Sequence, residues 1–189
     1  MNKLLGIRMN HEAQIKEWIR TDVERSKALE FASSLGLDDW CLAAGFVRNL
    51  VWDRLHGNEF TTPLSDIDFI YFNASDSREK TDRHHEKYLK SISHYPWSVK
   101  NQARMHMRNM DSPYFSTADA MSYWVEVETA IGVRLSQSHD LELVAPFGIE
   151  SLFKNTITIN NKRRKPKDFE ARIRGKKWLE HWPNLSVNA

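Results

Sequence analysis

Two aspartates, Asp66 and Asp68, stand where a predicted strand begins, and together they could bind a divalent cation. The apolar pattern from Ile67 to Phe72 predicts a largely buried strand. Because alternate side chains of a strand share a face, the two carboxylates lie on one face, roughly 6 to 7 Å apart. Ionised carboxylates this close repel each other unless a cation neutralises them. Ligand sets made only of oxygen favour Mg²⁺ or Mn²⁺.

A glycine turn and a helix precede this strand. An apolar run, Cys41 to Ala44, predicts a short strand, and after Gly45 the apolar residues recur at helical spacing until Gly57. Glycine lets the backbone approach a phosphate closely, and the start of the helix offers free N–H groups. Arg48, one turn into the helix, could add a guanidinium fork. This order of elements is what a nucleotide-binding site needs.

Each of these residues also has a structural interpretation. Ser65 and Asp66 could form a turn or cap a helix, Gly45 could be a position of tight packing, and Arg48 could lie on the surface. An isolated Asp-x-Asp is common and carries little information. The combination of glycine turn, helix and aspartates that enter an apolar strand favours the functional interpretation.

Two segments resemble a known superfamily. Ala44–Asn49 (AGFVRN) and Leu64–Phe69 (LSDIDF) are similar to the glycine-rich turn and Asp-x-Asp strand of the polymerase-beta-like nucleotidyltransferases, particularly the CCA-adding tRNA enzymes. Those enzymes carry Gly-Gly-x-Val-Arg-Asp, whereas Ala44 here replaces the first glycine and Asn49 the aspartate.

Outside this core, the chain resembles a poorly characterised bacterial nucleotidyltransferase-like family. The similar segments are Trp97–His106, Ala130–Leu135 and Ala145–Gly148, and the likeness extends over roughly residues 30 to 184. The resemblance implies an α/β (α+β) fold of the polymerase-beta-like type, with a mixed central sheet flanked by helices. We therefore expect one nucleotidyltransferase-like domain over 1–189, with helices in 1–36, the core in 40–160 and a basic helix in 161–189.

The resemblance also implies an activity. It predicts a Mg²⁺-dependent (or Mn²⁺-dependent) transfer of a nucleoside monophosphate from a nucleoside triphosphate to an unknown acceptor hydroxyl, with pyrophosphate released. Asp66 and Asp68 would be the catalytic metal ligands, and Gly45 and Arg48 would bind the nucleotide. A third carboxylate has no clear counterpart; Glu126 and Glu128, at the end of a predicted helix from Thr117, are candidates. A non-catalytic module that binds nucleotide or RNA on the same fold is the alternative.

Further cations could contact the triphosphate. Residues 96–107 predict a strand in which Val99 faces the core while Lys100, Gln102 and Arg104 share the other face. If this strand lies beside the Asp-x-Asp strand, Lys100 and Arg104 would bind the nucleotide; otherwise they are charges on a sheet edge.

Basic charge is concentrated near the end of the chain. Residues 162–177 hold nine Lys or Arg against Asp168 and Glu170, a local charge of +7 in a chain of net charge +2. This run is either a solvated face or a surface that binds nucleic acid such as RNA. Trp178 and Trp182, one helical turn apart, predict a packed stripe or, less commonly, a stacking platform for bases.

The remaining elements are assigned from periodicity and composition. We predict two helices between Asn10 and Leu35 with a break near Asp22, a helix at 76–90, a hairpin of 131–135 with 141–144, a strand at 156–160 and a helix at 166–182. A chain of 189 residues suits a single core, and one cysteine excludes a disulfide framework. The apolar stretch at the N-terminus is too short for a signal segment, and the longest apolar runs are too short to cross a membrane, which predicts a cytoplasmic protein.

Overall fold

Helices surround a central sheet in the computed structural model, which describes residues 10–189. Residues 1–9, where we predict no signal segment, lie outside the described residues. The helices are α1 (His11–Thr21), α2 (Val23–Ser33), α3 (Gly45–Leu55), α4 (Glu79–Ile92), α5 (Met105–Asn109), α6 (Thr117–Met121), α7 (Pro166–Lys176) and α8 (Trp178–His181). The strands are β1 (Trp40–Ala43), β2 (Ile67–Tyr71), β3 (Trp97–Asn101), β4 (Gly132–Leu135), β5 (Leu141–Val144), β6 (Thr156–Thr158) and β7 (Ser186–Asn188).

The main sheet is mixed, as the resemblance implies. Its order is β3-β2-β1-β4-β5, and only β2 and β3 run parallel. Because β1 and β2 are antiparallel and Ala43 lies opposite Asp68, the end of β1 lies beside the start of β2. This register brings the glycine turn next to the aspartates.

The two faces of the sheet are packed differently. Trp40, Ile67 and Phe69 belong to the large core cluster with the helices, and the rings of Trp40 and Phe69 stack at 5.3 Å. Ala43 and Ile70 belong to a smaller cluster on the other face. Since side chains alternate along β2, Asp68 lies on the face of Ile70, away from the large core.

The predicted break between the first two helices is confirmed. Asn10 caps α1 through its Oδ1, which accepts from Ala13 N at 2.7 Å. Asp22 ends α1, and its Oδ1 accepts from Arg25 N at 3.0 Å, so the same residue starts α2. A short acidic side chain at this position satisfies an otherwise free N–H group of the second helix.

The C-terminal helices pack against α3 through tryptophans. Trp178 and Trp182 are buried, and both rings meet that of Trp52 edge-on, at 5.9 and 5.1 Å. Trp182 Nε1 also donates to Asp53 Oδ1 at 2.9 Å. These contacts support the packed-stripe interpretation of the two tryptophans. The predicted helix is divided at Lys177, whose φ of 53° is left-handed, and the parallel pair of β6 with β7 was not predicted.

Two predicted elements are wrong in extent. The strand predicted at 96–107 ends at Asn101, whose Oδ1 accepts from Ala103 N at 3.0 Å and caps a turn of 3₁₀ helix. The helix predicted from Thr117 to Glu128 ends at Met121. Beyond it the chain forms turns and bends. There Asn160 Nδ2 donates to the carbonyls of Ser122 and Trp124. In the part of the chain described, no helix is long and apolar enough to span a bilayer.

Candidate active site

Asp68 is a half-buried carboxylate beside the exposed Asp66. Burial, and after it the charge of Asp66, raise the pKa of Asp68 from its ordinary value to about 6, while the charges of Lys176, Arg48 and Arg172 act in the opposite direction. Among the described residues, neither carboxylate has a hydrogen-bond donor or an ion-pair partner. A buried carboxylate without a partner next to a second carboxylate is the environment that a divalent cation stabilises.

The glycine turn has an unusual backbone. Ala44, at the position of the first glycine in the CCA-adding motif, has φ 57° and ψ −120°, a region that favours glycine. Gly45 then begins α3, which has no side-chain cap among the described residues. A Cβ added at Gly45 would lie 3.2 Å from Asn49 Nδ2, a tight contact. The first N–H groups of α3 are therefore left for a ligand.

Arg48 is buried beneath this turn. Its Nη1 donates to Thr129 Oγ1 at 2.7 Å, and its guanidinium lies 5.1 Å from the Trp52 ring and 4.6 Å from the Trp178 ring. Burial lowers its pKa to about 10. Arg48 therefore supports the floor of the site and fixes α3 to the C-terminal helices, and it is not a surface residue.

A cavity of about 430 Å³ opens over these groups. Its lining includes Gly45, Arg48, Asp66, Asp68, Arg172 and Lys176. Arg172 and Lys176 were not predicted to lie here. Their spacing of four residues, which puts them on one face of α7, was the available signal.

A second cavity of about 450 Å³ adjoins Asp68. It shares Ala44, Asp68 and Arg172 with the first cavity and is also lined by Lys100 and Glu126. Lys100 pairs with Ile70 across the parallel strands, which places it on the face of Asp68. The structure thus brings Lys100 to the aspartates, while its role in binding stays a prediction.

The two candidate glutamates are in different environments. Glu126 is buried on the second cavity; its Oε1 accepts from Arg172 Nε at 2.6 Å, and its Oε2 has no partner within residues 10–189. Glu128 accepts hydrogen bonds from Thr156 and Thr158, which anchors β6. Over the described chain, no group of three or more His, Cys, Asp or Glu is arranged to hold a metal ion. Asp66 and Asp68 stay the predicted ligands.

Arg104 is placed away from this site. Because the strand ends at Asn101, Arg104 does not share a face with Lys100, and that prediction is wrong. Its guanidinium is paired with the buried carboxylate of Asp82, which also accepts from Tyr71 Oη at 2.6 Å. Arg104 lines neither of the two cavities. Through its ion pair with Asp82, Arg104 has a structural role: it helps to attach α4 to the sheet.

Comparison with known proteins agrees with this geometry. Residues 30–187 match a family described as nucleotidyltransferase. The chain belongs to this nucleotidyltransferase family. An NMR structure described as a CCA-adding enzyme head domain is 33% identical, with a TM-score of 0.81, over 94% of this chain and 96% of that chain. No curated protein matches the sequence of this chain.

More distant structures share the fold. A CCA-adding enzyme in complex with CTP is 13% identical, with a TM-score of 0.60, over 96% of this chain and 44% of that chain. The Thermotoga maritima CCA-adding enzyme complexed with tRNA is also 13% identical, with a TM-score of 0.59, over 94% and 42%. The nucleotidyltransferase spans less than half the length of these two enzymes.

Proposed function

We propose that the protein transfers a nucleoside monophosphate from a nucleoside triphosphate to an acceptor hydroxyl and releases pyrophosphate. The observation that carries the proposal is the pair of unpartnered carboxylates, Asp66 and Asp68, beside the glycine turn at Gly45. Family membership supports nucleotidyl transfer in general. The metal, the nucleotide and the acceptor are inferred from the site.

The donor set fits Mg²⁺ or Mn²⁺. Asp66 and Asp68 offer only oxygen atoms, and these oxygens have no competing protein donor in the described structure. A bound divalent ion would neutralise negative charge on the phosphates during transfer. The raised pKa of Asp68 is consistent with an ion, because a cation beside the carboxylate would offset the cost of its negative charge.

In the proposed reaction, the acceptor oxygen forms a bond to the α-phosphorus while the bond from that phosphorus to the bridging oxygen of the β-phosphate breaks. The electron pair leaves with pyrophosphate, and the hydroxyl proton passes to solvent. The residues of the chain position these groups. The start of α3 at Gly45 would hold phosphate oxygens through backbone N–H groups, while Arg48 keeps α3 in place from below.

The second cavity is the place that we propose for the acceptor. It reaches Asp68, and it is also lined by Lys100, Tyr123 and Trp124. Cations and aromatic rings together suit a nucleic-acid end. Lys165, from the basic run of residues 162–177, also lines the second cavity. RNA is therefore the acceptor class we favour, and tRNA in complex with the Thermotoga maritima enzyme supports it.

A labelling experiment tests the proposed function. The protein is incubated with each nucleoside triphosphate labelled at the α-phosphate, with Mg²⁺ and a cell extract or total RNA. We expect label in an acceptor with the wild type and with Asp38→Asn, an exposed surface control. Asp68→Asn should reduce labelling by at least about a hundred-fold, because the metal would lose a ligand. Equal labelling by Asp68→Asn and wild type would exclude the mechanism, and metal-dependent nucleotide binding without any labelled product would favour the non-catalytic alternative.

A further inference from the structure

Two cations of the C-terminal helix face the active-site cavity. Arg172 and Lys176 are four residues apart on α7 and therefore lie on the same face of the helix. Both line the cavity that contains Gly45 and Asp68. Both also lie close enough to Asp68 for their charges to lower the pKa of its carboxyl group.

We propose that Arg172 and Lys176 bind the polyphosphate of the nucleotide, so that α7 and α3 both form part of the wall of the nucleotide site. The inference rests on the proposed function, since it assumes that the ligand of this cavity is a nucleoside triphosphate. It divides the basic run of residues 162–177 into two parts. Arg172 and Lys176 serve the nucleotide site, and the other cations of the run are left for other partners.

The available donors distinguish these two residues from the other cations of the cavity. Lys176 is exposed, and across residues 10–189 it has neither an ion pair nor a hydrogen bond. Arg172 donates to Glu126 through Nε, and its terminal amino groups make no hydrogen bond within the described chain. Arg25 and Arg48 are buried and donate to Asp22 and Thr129, and the one nitrogen that each leaves without a partner in the described chain is itself buried. The two residues of α7 are thus the cations best able to meet a ligand.

The negative charge of the proposed complex also favours cations at Arg172 and Lys176. Asp66, Asp68 and a triphosphate together carry more negative charge than one divalent ion can neutralise. Arginine supplies a planar fork that fits two phosphate oxygens, and lysine supplies a compact charge. The start of α3 and the two cations line the same cavity, so backbone N–H groups and side chains can both donate to phosphate oxygens.

Calorimetry with inorganic tripolyphosphate and Mg²⁺ tests this inference without a base or an acceptor. The proteins are the full-length wild type, Lys176→Gln, Lys176→Arg and Arg174→Gln. Arg174 is the matched control, because it is exposed on the same helix but does not line the cavity. We expect Lys176→Gln to weaken binding by about ten-fold or more. Lys176→Arg should retain most of the affinity, and Arg174→Gln should stay within about two-fold of the wild type.

Arg172 needs a double variant. Arg172→Gln alone would leave the buried Glu126 carboxylate without its partner and could unfold the protein. Arg172→Gln combined with Glu126→Gln removes both charges, and we expect it to weaken tripolyphosphate binding to a similar extent as Lys176→Gln. Glu126→Gln alone, which keeps the cation, should bind tripolyphosphate at least as tightly as the wild type.

The outcomes separate this inference from the proposed function. Equal weakening by Lys176→Gln and Arg174→Gln would reveal only general attraction of anions and would overturn the inference. Tight binding by Lys176→Gln and by the Arg172 double variant would also overturn it, as would a wild type that binds no tripolyphosphate. The proposed function is decided independently by whether the wild type labels an acceptor and Asp68→Asn does not.

Discussion

Replacing Asp68 by asparagine should stabilise the metal-free protein even though it removes the proposed activity. Asparagine has the same shape and no charge, so the variant avoids placing an ionised carboxylate in a buried position beside Asp66. The cost of that charge disappears, while the surrounding contacts of β2 are kept. Metal ligands commonly have this property, because their environment suits the bound form of the protein.

The magnitude follows from the pKa of Asp68. One pKa unit corresponds to ~1.4 kcal/mol, so the rise from 3.8 to about 6 corresponds to at most ~3 kcal/mol. Because the side chain keeps some contact with solvent in the cleft, we expect a gain of ~1–2 kcal/mol in the free energy of unfolding.

The pH dependence has a definite sign. Above pH 6, Asp68 is ionised in both the folded and the unfolded protein, and the folded state carries the full cost of the charge. Below about pH 4, it is protonated in both states and the cost is absent. The wild type should therefore approach the stability of Asp68→Asn as the pH falls between these values.

Urea denaturation in EDTA measures this difference at pH 8, 7, 5 and 4. Subtraction of the two unfolding free energies at each pH removes the contributions of the other titrating groups. Asp38→Asn, at an exposed position, should stay within ~0.5 kcal/mol of the wild type throughout. Added Mg²⁺ should stabilise the wild type and not Asp68→Asn. A variant that is less stable than the wild type at pH 8, or a difference that does not change with pH, would refute the reasoning.

Three further predictions concern stability and are measured by urea denaturation. Ala44→Gly should stabilise the protein by ~1 kcal/mol, because φ of 57° with ψ of −120° strains alanine; a loss of stability would contradict this. Arg104→Gln should destabilise the protein by ~3 kcal/mol, because Asp82 is left buried without its ion-pair partner. Its binding of Mg²⁺ with tripolyphosphate should stay unchanged, and a specific loss of that binding would show that Arg104 is a ligand after all. Trp182→Phe should cost ~1–2 kcal/mol through the lost hydrogen bond to Asp53, and an unchanged midpoint would exclude that contribution.

Local sequence patterns were sufficient for the elements that carry the aspartates. Strand β2, the turn at Gly45 and helix α3 were predicted from the alternation of apolar residues, a helix breaker and a helical period, all of which depend on neighbours in the chain. The same patterns failed after Asn101 and Met121. In both places, a polar side chain satisfies backbone groups and overrides the local preference.

The sequence by itself predicted two carboxylates at the start of a strand behind a glycine turn, and in the structure Asp66 directly precedes β2 while Asp68 lies within it. Only the tertiary structure decided which other groups lie near them. The register of β1 with β2 brings the glycine turn to the aspartates, and Arg48 is buried between two tryptophans. Arg172 and Lys176 line the same cavity although they are roughly a hundred residues away along the chain. The physical reason is that a local pattern fixes the direction of a side chain relative to its own helix or strand. Which distant side chain faces it depends on how the cores of separate elements pack together.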